Sequence, residues 1–194
     1  MNKIDRVEKY NDFLKENGFS LDRKNEYCVM NRSTSPITLN AMASVKLDKV
    51  SNILEIGRNN GYSFGFFKFC FPDAMVVSVD IHRTKTSDKI SKLFENFTFI
   101  DGTSYEIKKH NIIFDIVFID GCHTFEWCKN DWENIQSNIS ENSVIFFDDL
   151  DYGDGGVQRF FDTINKQKFI KYVDGDPIYG VVYGCKSVGE NVIL

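Results

Sequence analysis

Apolar residues in this chain fall into short blocks whose period alternates along the sequence. Residues 51–56, 74–79, 97–100, 114–119 and 143–147 are apolar runs of strand length. Between them, 61–71, 87–94, 124–138 and 156–165 carry apolar side chains at helical spacing. The third of these helices shows it best, with Phe125, Cys128, Trp132, Ile135 and Ile139 on one stripe. The run Phe-Asp-Ile-Val-Phe-Ile at 114–119 is nearly all apolar, which predicts a strand buried on both faces. Residues 168–185 read as two strands around Gly175-Asp176-Pro177, a hairpin. Upstream, Ile4, Val7, Phe13 and Leu14 predict a helix over 3–17, stopped by Asn17-Gly18. Residues 20–33 are irregular. Ser35 as N-cap and Pro36 at the first helical position then open a helix to about residue 46.

Regular strand–helix alternation closing in a hairpin predicts an α/β, Rossmann-like fold. Its sheet is mostly parallel and seven-stranded, with helices on both faces and a C-terminal antiparallel hairpin. The chain, 1–194, reads as one domain: a helical cap over 1–46 and a core over 47–194.

Strand ends are where ligands bind in such sheets, and here they carry chemistry. Asp120 ends the fourth strand, and His123 lies three residues on; Asp148 and Asp149 end the fifth. Three carboxylates without a competing thiolate suit a hard divalent cation such as magnesium. Successive strand residues point to opposite faces, so Asp148 and Asp149 share one ion only if the strand has ended or bent. The imidazole of His123 is a suitable general base near neutral pH. The acidic run 148–154 fails as a calcium loop, because the twelfth position from Asp149 is Phe160 where a Glu belongs. Asp154 reads instead as a cap for the following helix.

Where the first strand meets its helix, the chain reads Glu55-Ile56-Gly57-Arg58-Asn59-Asn60-Gly61-Tyr62-Ser63. Its glycines permit a tight turn and close ligand approach, and the helix N-terminus offers N–H groups to an anion. Roughly 20 residues on, Asp80 is placed to accept ribose hydroxyls. Asn59 occupies the position where a dinucleotide loop needs its middle glycine, which disfavours NAD. A carboxylate-bearing nucleoside, S-adenosylmethionine, suits the loop better.

These motifs resemble the class I S-adenosylmethionine-dependent methyltransferases over about residues 28–185. Within that class the chain is similar to the catechol and macrocin (sugar) types of metal-dependent O-methyltransferase. Met30-Asn31, Leu54-Glu55-Ile56-Gly57 and Gly61-Tyr62-Ser63 carry the catechol likeness. The paired acids at 148–149 favour the macrocin type, since the catechol type has Asp-Asn there. Arg58 and Asn59 depart from the catechol pattern. The resemblance implies that Met30 packs over the cofactor, that Gly57 and Ser63 hold its amino-acid end, and that Ser104 and Tyr105 lie by the adenine. Glu55, Asn59, Gly61, Tyr62, Asp80, Ile81, Gly102, Thr103 and Asp120 complete the expected cofactor set. His123 stands where the catechol type carries its basic lysine. His82 is expected beside the cofactor. Trp127 and Trp132 read first as core, with Trp127 the alternative for the acceptor wall.

The expected activity is methylation of a small-molecule hydroxyl, on a sugar, another vicinal diol or a catechol. S-adenosyl-L-methionine and Mg²⁺ or another divalent cation would be its cofactors. The catalytic pair would be His123 and Asp120, and the metal set Asp120, Asp148 and Asp149. The rival readings are a metal-independent methyltransferase and a non-catalytic module binding a nucleotide-like ligand. Composition narrows partners and compartment. A net charge of −5 without a basic cluster argues against nucleic acid. No run approaches the roughly 20 apolar residues of a membrane span. The N-terminal Met-Asn-Lys-Ile-Asp-Arg has no signal-peptide core. Five cysteines without paired spacing predict reduced thiols in the cytoplasm. The load of 18 phenylalanines would serve either a homodimer interface or a dense core.

Overall fold

The computed structural model describes residues 6–21 and 36–183. The readings placed on Cys28, Met30-Asn31, Ser35 and Cys185 lie outside the described residues. The sheet order is β3-β2-β1-β4-β5-β7-β6. Strands β1 (Asn52–Ile56), β2 (Met75–Asp80), β3 (Phe97–Asp101), β4 (Phe114–Ile119) and β5 (Ile139–Phe147) run parallel. The hairpin of β6 (Lys168–Val173) and β7 (Asp176–Tyr183) adds antiparallel strands beside β5. Strand order turns back between β1 and β4, so a crevice opens at their carboxyl ends.

Side-chain alternation sends each central strand into two cores. Ile53, Val76, Phe118 and Phe146 face a layer built with α1 (Arg6–Glu16), α2 (Pro36–Ala43), α3 (Tyr62–Cys70) and α4 (Lys85–Ser91). Leu54, Val77, Val117 and Phe147 face α5 (Phe125–Asn134) and α6 (Gly156–Thr163). The aromatic load builds the first layer. Phe64 meets Phe94, Phe97 and Phe99, while Tyr10 meets Phe13, Phe66 and Phe69, mostly tilted or edge-on as ring quadrupoles prefer. Among the described phenylalanines only Phe169 is a large exposed apolar residue. No described helix is long and apolar enough to cross a membrane.

Boundaries move from the expected ones for local reasons. α4 starts at Lys85 rather than 87, because Thr84 and Ser87 form a reciprocal capping box. α5 ends at Asn134, and a 3-10 turn (Gln136–Asn138) replaces its last turn. There Asn138 Nδ2 donates to the carbonyls of His110 and Ile112 at 2.7 and 2.9 Å, drawing the chain toward β4. β5 starts at Ile139, before the apolar run, and its pairing with β4 shifts register between Phe114 and Ile116.

Candidate active site

Backbone hydrogen bonds align the strand ends. Gly57 N–H donates to the Val79 carbonyl, Gly102 N–H to Asp80, Asp120 N–H to Ile56, and Asp148 N–H to Ile119. The residues that follow each strand therefore line one edge of the sheet. A cavity of about 670 Å³ opens there, bordered by Gly57, Asp80 and Gly102 on one side and by Asp120, His123 and Trp127 on the other.

On the β1–β3 side the fit is close. Gly57 has φ +97°, and a Cβ there would lie 1.9 Å from the Asp120 carbonyl oxygen, so only glycine permits this approach of two strand ends. No side chain caps α3, whose N-cap Gly61 follows Asn59 of the cavity border by two residues. Asp80 borders the cavity, and its two oxygens accept the N–H groups of Asn59 (2.7 Å) and His82 (2.8 Å). Asn59, Ile81, Gly102, Thr103 and Ser104 also border it, as does His82.

Other residues of the expected cofactor set lie elsewhere, and alternation explains it. Glu55 follows Ile53 onto the α3 face of the sheet and is fully buried. It accepts the hydroxyls of Ser63 and Ser78. Burial pushes its carboxyl up to about 8, although both hydroxyls oppose the shift. Ser63 thus gives its proton to Glu55 and does not border the cavity. Tyr62 is buried, and its hydroxyl donates to Asn11 Oδ1 at 2.6 Å, tying α3 to α1. Gly61 packs on Ser87 at the start of α4. Tyr105 is exposed, with Lys108 and Lys109 near its ring face. Met30 lies outside the described residues.

Across the cavity stand the acids. β5 ends at Phe147, and Asp149 takes a left-handed φ of +54°, the bend that sequence alternation required. Ligand atoms of Asp120, His123 and Asp149 lie within 4.8 Å of one another. His123 Nε2 is 3.2 Å from Asp149 Oδ2 and 3.6 Å from Asp120 Oδ1. Asp120, then Asp149, raise the imidazole to about 10 against the opposing effect of burial. These contacts are ion pairs rather than aligned hydrogen bonds: His123 Nε2 and Asp149 Oδ2 are buried without a hydrogen-bond partner among the described residues. Asp148 differs from its expected place in the compact set. Its Oδ1 accepts the Thr38 hydroxyl at 2.7 Å, while Oδ2 is buried and unpartnered. Burial first, then the charges of Asp120 and Asp149, hold its carboxyl well above the carboxylate range. The buried, unpartnered oxygens of Asp148 and Asp149 are hard donors of the kind a divalent cation prefers.

Sequence reasoning missed three residues, Arg58, Thr38 and Asp131, and put a fourth, Trp127, first in the core. Arg58, noted only as a departure, is 1% exposed and pins the strand ends from beneath. Its guanidinium donates to the Ser78 and His82 carbonyls and to Asp101, 4.3 Å over the Phe99 ring. Thr38 reaches Asp148 from α2, a contact no local pattern signals. Trp127, read first as core with the acceptor wall as its alternative, is 46% exposed and borders the cavity; its place off the stripe of Phe125 and Cys128 was the available signal. Asp131, on the same helix, is buried at the cavity wall. Asp154, expected to cap α6, is not its cap: the N-cap is Gly155, without a side-chain cap hydrogen bond, and Asp154 Oδ1 accepts the Gly156 N–H at 3.1 Å.

Residues 54–150 match a protein family described as a methyltransferase domain. Solved structures share the fold. The S-adenosylhomocysteine-bound Podospora anserina methyltransferase PaMTH1 is 17% identical over 92% of this chain and 88% of its own, with a TM-score of 0.64. The O-methyltransferase from Bacillus cereus, also bound to S-adenosylhomocysteine, is 14% identical over 93% and 90%, TM-score 0.62. CalS11, a TDP-rhamnose 3′-O-methyltransferase of calicheamicin biosynthesis, is 14% identical over 92% of both chains, TM-score 0.60. No curated protein matches the sequence significantly.

Proposed function

Given that the chain belongs to the methyltransferase domain family and is thereby an S-adenosylmethionine-dependent methyltransferase, we propose that it methylates a hydroxyl of a small molecule and does so with a divalent cation. The acceptor class is a sugar or other vicinal diol, or a catechol. One observation carries the reading: His123 and Asp149, each with a buried unpartnered atom, cluster with Asp120, and His123 and Asp120 border the cavity. The sugar activity in CalS11's name supports the first acceptor class.

The sulfonium of the donor supplies an electrophilic methyl group. The turn from Gly57 to Asn59 would lie against the donor's amino-acid end, and Asp80, its carboxylate already fixed by two backbone N–H groups, would accept from the ribose. Asp120 and Asp149 would hold the cation, with Asp148 beside them on a side chain fixed by Thr38. A divalent cation supplies Lewis acidity toward neighbouring acceptor oxygens. His123 Nε2 would then take the acceptor's proton, a role open to it while Asp120 and Asp149 direct their charge elsewhere.

The test follows methyl transfer from labelled S-adenosylmethionine to sugar and catechol acceptors, before and after EDTA treatment. EDTA should cut turnover on the order of 10²-fold or more, magnesium should restore it, and calorimetric binding of S-adenosylhomocysteine should persist. Turnover indifferent to EDTA would instead establish the metal-independent reading, with the His123 ion pairs intact throughout the cycle.

A further inference from the structure

One acid at the cavity wall has no part in the chemistry above. Asp131 lies on α5 and is 4% exposed. Its Oδ1 accepts the Ser104 hydroxyl at 2.6 Å, and Ser104 Oγ accepts from Asn134 Nδ2 at 2.9 Å. Asp131 Oδ2 accepts no hydrogen bond among the described residues. A Cβ on Gly121 would meet it at 3.1 Å, so this oxygen stands over a bare backbone at the cavity floor. A buried carboxyl bordering a cavity with one oxygen unengaged calls for a donor from the guest.

We propose that Asp131 reads the amino edge of the donor's purine, with Oδ2 accepting from the exocyclic amine. The inference rests on the methyl-donor reading above and deepens it. In N9-linked adenine the exocyclic amine is the polar donor, while the ring nitrogens are acceptors. Asp131 is suited to that edge by its neighbours. Ser104 commits its one hydroxyl proton to Asp131, so Ser104 orients the carboxylate and does not itself donate to the base. Asp80 is distinct: both its oxygens already hold backbone N–H groups at the β2 end. A 6-oxo purine would set a carbonyl oxygen against the Asp131 carboxylate and be rejected, because a buried polar group would be left unpaired.

The experiment compares calorimetric dissociation constants of S-adenosylhomocysteine and S-inosylhomocysteine for the full chain and for Asp131→Asn. The wild type should prefer the adenosyl ligand by about 10- to 100-fold, the range for a hydrogen bond to a charged group. In Asp131→Asn the side-chain amide can donate to a 6-oxo group, so the preference should collapse to within about 3-fold. Equal wild-type affinities, or a preference that survives the substitution, overturn the inference. So does equal loss on both ligands, the result expected if Asp131 meets the donor's ammonium group or only supports the fold. Should Asp131→Asn fail to fold by circular dichroism, Ser104→Ala takes its place; a narrowed preference supports the inference, and an unchanged one overturns it. Binding of neither ligand by the wild type would strike the methyl-donor reading itself.

Discussion

On the β1–β3 wall of the cavity, most polar side-chain atoms are held by one another or by backbone groups, Arg58 Nε being the exception among those named. Glu55 holds Ser63 and Ser78, Arg58 holds carbonyls and Asp101, and Asp80 holds two backbone N–H groups. On the β4–β5 wall, His123, Asp148 and Asp149 each keep a buried polar atom without a hydrogen-bond partner among the described residues. Both walls hang on the same parallel ladder, so the difference lies in the side chains. A closed network holds shape with or without a guest. An open one leaves polar atoms whose desolvation is offset only when something binds them. The first wall is therefore built as a scaffold, and the second is the place we propose for the reaction.

That contrast breaks most visibly at His123. His123→Ala should lower kcat by about 10²–10⁴-fold while calorimetry with S-adenosylhomocysteine changes little. Wild-type turnover in this variant would remove His123 from the mechanism. Gly57→Ala attacks the ladder shared by both walls. Its Cβ would meet the Asp120 carbonyl at 1.9 Å, so urea unfolding should show a loss of about 3 kcal/mol or more, with donor binding lost as well.

Glu55 sharpens the scaffold side through pH. Its folded value is raised to about 8, so between the ordinary carboxylate range and that value the native chain binds a proton that the unfolded chain has released. The stability this contributes is complete at acid pH and is lost as pH rises toward 8, with a slope of at most about 1.4 kcal/mol per pH unit. Glu55→Gln should flatten that part of the curve in unfolding measured from pH 5 to 9. A difference curve between the two proteins that is flat would place the ionisation elsewhere. Ser63→Ala, which removes one hydroxyl from Glu55, should cost only about 1 kcal/mol and leave the KM for the donor unchanged. A large rise in KM would instead return Ser63 to the donor's amino-acid end.

The architecture was legible because its signals are local. Apolar runs, glycine turns and capping residues each act within a few positions, and together they marked the strands and helices and the acids at their ends. Side-chain direction was legible only in part. Motif likeness placed Glu55, Tyr62 and Ser63 with the cofactor, but strand alternation and the inward face of α3 turn them into the core. Arg58 looked like a loop residue because only the folded sheet brings Ser78, His82 and Asp101 beneath it. Trp127 was put first in the core, and the acceptor wall second, because a helix stripe predicts a face and not what stands opposite it. Thr38 and Asp131 were silent for the same reason: their partners are fixed by strand order, which no short segment contains.

Thr38 and Asp148 are separated by 110 positions in the chain. During synthesis the second helix must wait, its hydroxyl uncommitted, until the fifth strand has emerged and paired. On the proposed mechanism, the fixing of this acid is therefore one of the later events in making the enzyme.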